Sequence, residues 1–387
     1  MISASGDAGH DHEDGGGAQA SATRTTATPT AIQTAAQAPP DPASISVIVP
    51  TFNDVTRIGD ALESILAQTL SPGEVVVCDD GSEDGTERFV REFAARRTGE
   101  RAGGRAGELQ VRYLRLASRS GAAAARNAGI AAARGEWIAN CDSDDVWAPR
   151  KLERQIEFLR RWKGERRIAL LGTHGHNMND ARKIISPAIM GPTCEDDYNE
   201  LVHRGEIFYV IHSSALFTRA DFLAVGGYSS EYGAADDYPF FCRMAERGVV
   251  LNIPEPLVYY RKRAGSVQFS RFWDLRQDVM RLTVNQRRLA NGEPPIGRDE
   301  FAAQLAAAPA RERFRRRRQL WGYYYYKLGS THLVNGSRIR GGLELALASV
   351  LDSARVRAGV LNAVRARRPR RLAAREGEPM VELFRQP

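Results

Sequence analysis

The 387-residue chain has no run of about 18 uncharged apolar residues, so no segment reads as a transmembrane helix. Its first residues lack the basic start and apolar core of a signal peptide. Both absences point to a cytoplasmic protein. Cysteine is scarce. Cys78, Cys141, Cys194 and Cys242 stand at no metal-binding spacing, and two of them fall in apolar runs, so they read as reduced core thiols. No internal repeat is visible, so the fold is not built by repetition. Large apolar side chains are rare in residues 1–43, which cannot bury enough surface to order and read as a disordered leader. Within it, His10, Asp11, His12, Glu13 and Asp14 read as a solvated polar tail rather than a metal site.

What is present is an ordinary globular composition, 43% hydrophobic, with a formal charge of +7. That charge is uneven. Residues 311–387 hold 18 Lys/Arg against 6 Asp/Glu, a net of +12, so the remainder sums to −5. From residue 45 short apolar strands alternate with helices: strands over 45–49, 75–78, 111–116 and 137–141, with helices carrying Ile58, Leu62, Ile65 and Leu66, then 82–97, where Ser82 is the expected cap, and 122–133. This alternation implies a mostly parallel, Rossmann-like α/β sheet flanked by helices, with ligands outside the carboxyl ends of the strands. The stretch 98–107 reads as a surface loop. A helix over 149–162, strands over 168–172, 213–218, 249–253 and 257–261, helices over 219–225 and 237–247, and only helices after about 272 complete the reading.

Two strand ends carry acids. Asp79-Asp80 close one, and Asp142-Ser143-Asp144-Asp145 close another just before Trp147. Three carboxylates within four residues repel one another and need a cation; oxygen-only ligands suit Mg²⁺ or Mn²⁺.

In order along the chain stand Val47-Ile48-Val49-Pro50-Thr51-Phe52-Asn53, Asp79-Asp80-Gly81-Ser82, Gly121 to Gly129 with Arg126, Asp142-Ser143-Asp144-Asp145, Gly226-Gly227-Tyr228, Asp236-Asp237-Tyr238 with Arg243, and Pro256 to Arg261. Together they resemble the family 2 glycosyltransferases, inverting nucleotide-sugar enzymes of the GT-A fold, over about residues 45–270. The resemblance implies that Pro50, Thr51, Phe52, Asn53, Asp79, Asp80, Gly121, Arg126, Asp142 and Ser143 surround the nucleotide-sugar donor. Phe52 would stack on the base, where the family often has Tyr. Asp144, with Asp142 and Asp145 as further candidates, would hold the metal, Mn²⁺ or Mg²⁺. Asp237 resembles the general base, with Asp236 as its rival because the family usually has Glu-Asp there. Arg263 stands where the family often has a His; it cannot ligate a metal and would contact the diphosphate. His212 precedes a strand near the acceptor side and reads as a packed or surface residue.

In the tail, Arg315-Arg316-Arg317-Arg318 precede Trp321 and Tyr323 to Tyr326, a pattern that fits contact with an anionic membrane surface. Residues 343–364 read as an amphipathic helix. The expected organisation is a leader over 1–43, a GT-A domain over 45–270 and a basic helical C-terminal region over 271–387. The expected activity is metal-dependent, inverting transfer of a sugar from a UDP-sugar to a hydroxyl of a glycan or lipid-linked glycan of a surface polysaccharide. It would take place in the cytoplasm or peripherally at the inner face of the cell membrane, with no nucleic-acid partner. The rival readings are a nucleotidyltransferase, which would show a Gly-rich basic loop after the first strand, and a non-catalytic nucleotide-sugar binder.

Overall fold

A computed structural model describes residues 39–100 and 109–357. The expected leader with its histidine-acid cluster, most of the loop over 98–107 and the end of the tail lie outside these residues.

The first half runs β1 (Ile45–Thr51), α1 (Ile58–Leu66), β2 (Glu74–Asp79), α2 (Thr86–Glu100), β3 (Gln110–Arg115), α3 (Ala122–Ala132) and β4 (Trp137–Asn140). The four strands lie side by side in the order β3-β2-β1-β4, all parallel. β1, β2 and β4 are buried along their whole length, so their near-continuous apolar sequence is that of strands covered on both faces. Alternation sends Val47 and Val49 to the face covered by Ile58, Leu62 and Ile65 of α1, and Ile48 to the face covered by Ala125 and Ile130 of α3. α3 can approach closely because Gly129 lies over Cys78; any Cβ there would collide with the thiol. Thr51 pairs with Asp79, which aligns the carboxyl ends of β1 and β2 at one edge.

The second half is mixed: β5 (Val146–Trp147), α4 (Lys151–Arg161), β6 (Ile168–Met178), β7 (Ile184–Ala188), α5 (Glu195–His203), β8 (Leu216–Thr218), α6 (Arg219–Ala224), α7 (Asp237–Met244) and β9 (Val249–Arg261). The sheet continues β4-β8-β6-β9-β5, with β7 on β6. β8 is antiparallel to β4 and β6, β9 is parallel to β6, and β5 is antiparallel to β9. Several elements differ from expectation. The strands foreseen at 249–253 and 257–261 are one strand, β9, interrupted where its register jumps from Ile253 to Pro256 opposite β6. Prolines 254 and 256 hide that continuity, because a proline cannot donate to the ladder. The strand foreseen over 213–218 begins with a 3₁₀ turn, His212–Ser214. Ser82 does not cap α2, which starts at Thr86; its hydroxyl accepts from the Asn53 N–H instead.

Only helices follow: α8 (Val267–Ser270), α9 (Phe272–Ala290), α10 (Arg298–Ala307), α11 (Ala310–Val334) and α12 (Arg338–Leu351). α11 is fixed by rings. Trp321 meets Trp273 at 4.5 Å, and Tyr323 and Tyr324 meet Phe272 at 5.8 and 5.1 Å. The turn after α11 reaches the end of β9, where the Asn335 amide donates to the Lys262 carbonyl. Trp321, Tyr323 and Tyr324 are therefore half-buried against α9. Among the described residues no helix is long and apolar enough to cross a membrane.

Candidate active site

The carboxyl ends of β1, β2 and β4 meet at one edge, as the parallel order requires. Beyond β1, Asn53 adopts φ +48°, which Asn tolerates better than most residues, and its side-chain Oδ1 accepts from the Glu83 N–H. This ties the two strand-end loops together. Phe52 presents a ring face that the Arg119 guanidinium covers at 4.1 Å. Arg119 was not foreseen. It sits in an irregular loop with no pattern to mark it. The buried Thr51 hydroxyl has no hydrogen-bond partner among the described residues.

The first acid pair is spent on architecture. Asp79 is fully buried and accepts from the Ser82 N–H and the Tyr113 hydroxyl. Asp80 accepts from the N–H groups of Ser120 and Gly121, pinning the start of α3, where Gly121 sits at φ +93°. Buried carboxylates at this edge need donors, and the turns and Tyr113 supply them. Gly121 thus serves a tight turn.

The second cluster is divided by orientation. Asp145 is fully buried, accepting from the Arg261 N–H at 2.8 Å and from the Ser213 hydroxyl. Burial, with Asp144 and Asp142 alongside, pushes its carboxyl well above the usual range. Asp145 thus anchors the loop from beneath, tying it to Ser213 and to the end of β9. The Ser143 hydroxyl donates to buried Asp54 at 2.7 Å. Trp147 packs beneath, donating to the Ser213 carbonyl. Asp142 and Asp144 are the partly open members, and each has an arginine. Asp142 Oδ1 accepts from Arg126 at 2.9 Å, and Asp144 Oδ2 from Arg263 at 2.7 Å. Burial opposes ionisation of Asp142, but Arg126 and His212 outweigh it and hold the carboxyl below its ordinary range. Burial raises Asp144, with Asp142 and Asp54 adding to the effect and Arg263 opposing it.

Arg126 joins the two halves of the site. Its other nitrogen donates to Asp236 at 2.9 Å, so one buried guanidinium bridges the β4 loop to the start of α7. That separates the rivals. Asp236 is buried and held by Arg126. Asp237, half-buried, accepts only the adjacent Tyr238 N–H among the described residues. Burial and the Asp236 carboxylate push Asp237 up to about 6, against the pull of His212 and Arg126. His212 is packed here, with Nε2 2.8 Å from the Tyr228 hydroxyl and Nδ1 3.6 Å from Asp142. Asn140 and Tyr228 complete this buried polar network, the Asn140 amide donating to the Tyr228 hydroxyl at 2.7 Å.

Among the described residues no three His, Cys, Asp or Glu side chains are grouped to hold a metal by themselves. Of the three expected acids, Asp145 is fully buried, while Asp142 and Asp144 are partly open. Asp142 and Asp144 each keep one carboxylate oxygen outside these hydrogen bonds. Two carboxylates fit a Mg²⁺-like ion that takes its other ligands from a diphosphate and water. A surface cavity of about 610 Å³ beside α2, lined by Ser82, Arg88 and Arg115 among others, holds none of these acids.

Comparison with known proteins bears on this arrangement. Residues 46–225 match the family described as Glycosyl transferase family 2. An Escherichia coli UDP-Glc:alpha-D-GlcNAc-diphosphoundecaprenol beta-1,3-glucosyltransferase, WfgD, is 36% identical over 115 residues, 30% of this chain and 40% of that protein. The matched segment thus spans less than half of that relative. A second E. coli enzyme with the same printed activity, WfaP, is 25% identical over 232 residues, 60% of this chain and 82% of that one. The crystal structure of S. aureus TarS 1-349 in complex with UDP-GlcNAc superposes with a TM-score of 0.50 at 17% identity, over 81% of this chain and 92% of that one, a likeness of fold alone.

Proposed function

The chain carries a glycosyl transferase family 2 domain over residues 46–225, and we propose that it transfers a sugar with inversion from a nucleotide sugar to a hydroxyl of a lipid-linked glycan. The relatives' printed UDP-Glc donor and diphosphoundecaprenol acceptor favour a UDP-sugar and a surface-polysaccharide acceptor. The observation that carries the reading is the Arg126 bridge. It fixes Asp236 and leaves Asp237 beside the Asp142 loop with a carboxyl poised near 6.

In this reading the base stacks on Phe52 in the place now taken by Arg119, which slides over its other face. Asp237 takes the proton of the acceptor hydroxyl as that oxygen bonds to the anomeric carbon. The bond from that carbon to the diphosphate breaks, and its electron pair leaves with the nucleoside diphosphate. Arg263 lies close enough to exchange Asp144 for diphosphate oxygens. Asp142 and Asp144 would hold Mn²⁺ or Mg²⁺, which when bound offsets charge on the leaving diphosphate.

A thermal-shift screen of nucleotide sugars with and without Mn²⁺ tests the reading. A donor that binds only the folded state raises the melting temperature. UDP-sugars should do so, and more strongly with Mn²⁺; no shift with any nucleotide sugar contradicts the proposal. Asp144→Asn should cut turnover by at least about 10²-fold, because it weakens the metal and uncouples Arg263. Full Asp144→Asn activity in EDTA would remove the metal from the account.

The membrane-facing part of this reading rests on α12. Ile339, Leu343, Leu347 and Val350 are 84, 68, 41 and 78% exposed. At helical spacing they form one outward apolar stripe, with Arg338 and Arg340 at its end. Residues 311–357 hold eleven Lys/Arg against three Asp/Glu. An apolar stripe flanked by cations suits the surface of an anionic bilayer. Leu343→Glu should abolish sedimentation with phosphatidylglycerol vesicles at low salt while transfer to a soluble acceptor persists. Undiminished sedimentation would remove α12 from the docking surface.

A further inference from the structure

The 3₁₀ turn His212–Ser214 meets the acid loop at three points. The Ser213 hydroxyl accepts from the Asp142 N–H at 3.1 Å and donates to Asp145. The Ser213 carbonyl takes the Trp147 indole N–H at 2.7 Å. The third point is His212, whose Nδ1 faces Asp142 Oδ1 at 3.6 Å. The turn is itself held by the sheet. Its Ser214 hydroxyl accepts from the Thr173 N–H of β6 at 3.0 Å, and the next carbonyl, that of Ala215, accepts from the Asn140 N–H of β4 at 3.0 Å.

The His212 side chain is 7% exposed, and its partners fix its tautomer. The Asn140 amide donates to the Tyr228 hydroxyl at 2.7 Å, so that hydroxyl keeps its own proton for His212 Nε2, 2.8 Å away. The Asn140 amide nitrogen also lies 3.2 Å from Nε2 and can only donate. Nε2 is then the acceptor, and Nδ1 carries the hydrogen. The Asp142 charge demands the same tautomer whichever way the Asn140 amide is turned. A bare Nδ1 would aim its lone pair at a carboxylate, whereas Nδ1–H attracts one. This N–H is buried and has no hydrogen-bond partner among the described residues, because 3.6 Å is too long for one. A buried donor left unmade is costly, and Asp142 Oδ1 is the acceptor it faces. That oxygen already accepts from Arg126 at 2.9 Å, while Oδ2 stays outside these bonds.

We propose that His212 is a positioning residue of the metal loop, its Nδ1–H closing on Asp142 Oδ1 when Oδ2 takes a divalent ion. This rests on the glycosyltransferase reading and deepens it. With Arg126 and Nδ1–H both on Oδ1, the carboxylate cannot turn, and Oδ2 keeps one direction. Tyr228 and Asn140 act one step further back, by holding the ring in the tautomer that donates. His212 acts through Asp142 and touches neither the donor nor the acceptor sugar.

The test is calorimetric titration of Mn²⁺ into the full chain with UDP present, against a blank of UDP alone. Two variants separate the ring nitrogens. His212→Asn sets an amide N–H near the place of Nδ1 and gives up Tyr228. His212→Gln reaches the place of Nε2 and gives up the donor toward Asp142. His212→Gln should weaken Mn²⁺ binding about 10–100-fold, the usual loss when a partner behind a metal ligand is removed, and His212→Asn should restore most of it. In an Asp142→Asn background His212→Gln should add little further loss, because the carboxylate it acts through is gone. Undiminished Mn²⁺ affinity in His212→Gln, or equal losses in both variants, overturns the assignment. The wild-type chain gives a check that no variant's folding can spoil. Nitrogen-15 NMR of histidine-labelled protein in mildly alkaline buffer should show His212 with a bare Nε2 and a protonated Nδ1; the opposite tautomer overturns the proposal. If the wild type binds neither UDP nor Mn²⁺, the glycosyltransferase reading fails first and takes the role of His212 with it.

Discussion

Asp237→Asn is expected to slow transfer by about 10²–10⁴-fold, the usual size of a general-base contribution, while donor affinity stays nearly unchanged. The amide keeps the shape and the hydrogen bond from the Tyr238 N–H but cannot take a proton. The wild-type pH profile follows from the same group. A base acts only when ionised, so kcat/KM should fall with unit slope below the Asp237 pKa of about 6 and level off above it. Asp236→Asn is the discriminating control. It removes a like charge beside Asp237 and frees Arg126 from one partner, and both changes lower the Asp237 pKa. Its pH limb should therefore move to lower pH, with a milder loss of rate. If Asp236→Asn abolishes transfer and Asp237→Asn does not, the two roles are reversed.

Arg126→Met is expected to cost about 3–5 kcal/mol of stability in urea unfolding, the usual result of removing one partner from a buried ion pair. Arg126 is buried and neutralises Asp142 and Asp236 together. Its own charge is disfavoured by burial but secured by those two carboxylates, which hold it above the ordinary arginine range. Without it, two acids would be left facing each other's field in a poorly hydrated place. The triple variant Arg126→Met, Asp142→Asn, Asp236→Asn should recover most of the lost stability and none of the activity. A single Arg126→Met variant as stable as the wild type would mean that the bridge is ornamental.

The first half of the fold was legible because its physics is local. Ile45–Thr51, Glu74–Asp79 and Trp137–Asn140 are short apolar runs buried on both faces, each ending in polar residues at the ligand edge. The second half was less so. β5 has two residues, and β7 is five residues long with Pro187 inside it and one buried position, so neither carries a period to read. β9 is broken by prolines that tertiary pairing with β6 overrides. The site divides the same way. Arg126 as a site residue, the acid cluster over Asp142 to Asp145 and the neighbouring pair Asp236-Asp237 could be read from residue type and order. Which acids turn inward could not. Asp79, Asp80 and Asp145 differ from Asp142 and Asp144 only in what the folded chain offers them, namely backbone N–H groups, Tyr113 and Ser213. Arg119 over Phe52 and His212 facing Asp142 arise between distant segments and leave no spacing in the sequence.

The most direct measurement is an NMR assay of the products formed from an α-linked UDP-sugar, Mn²⁺ and a lipid-diphosphate-linked acceptor. An inverting transferase with Asp237 as base releases UDP and forms a β-glycoside, and Asp237→Asn forms neither at a comparable rate. Formation of an α-glycoside, or release of UMP or inorganic diphosphate in place of UDP, would contradict the account.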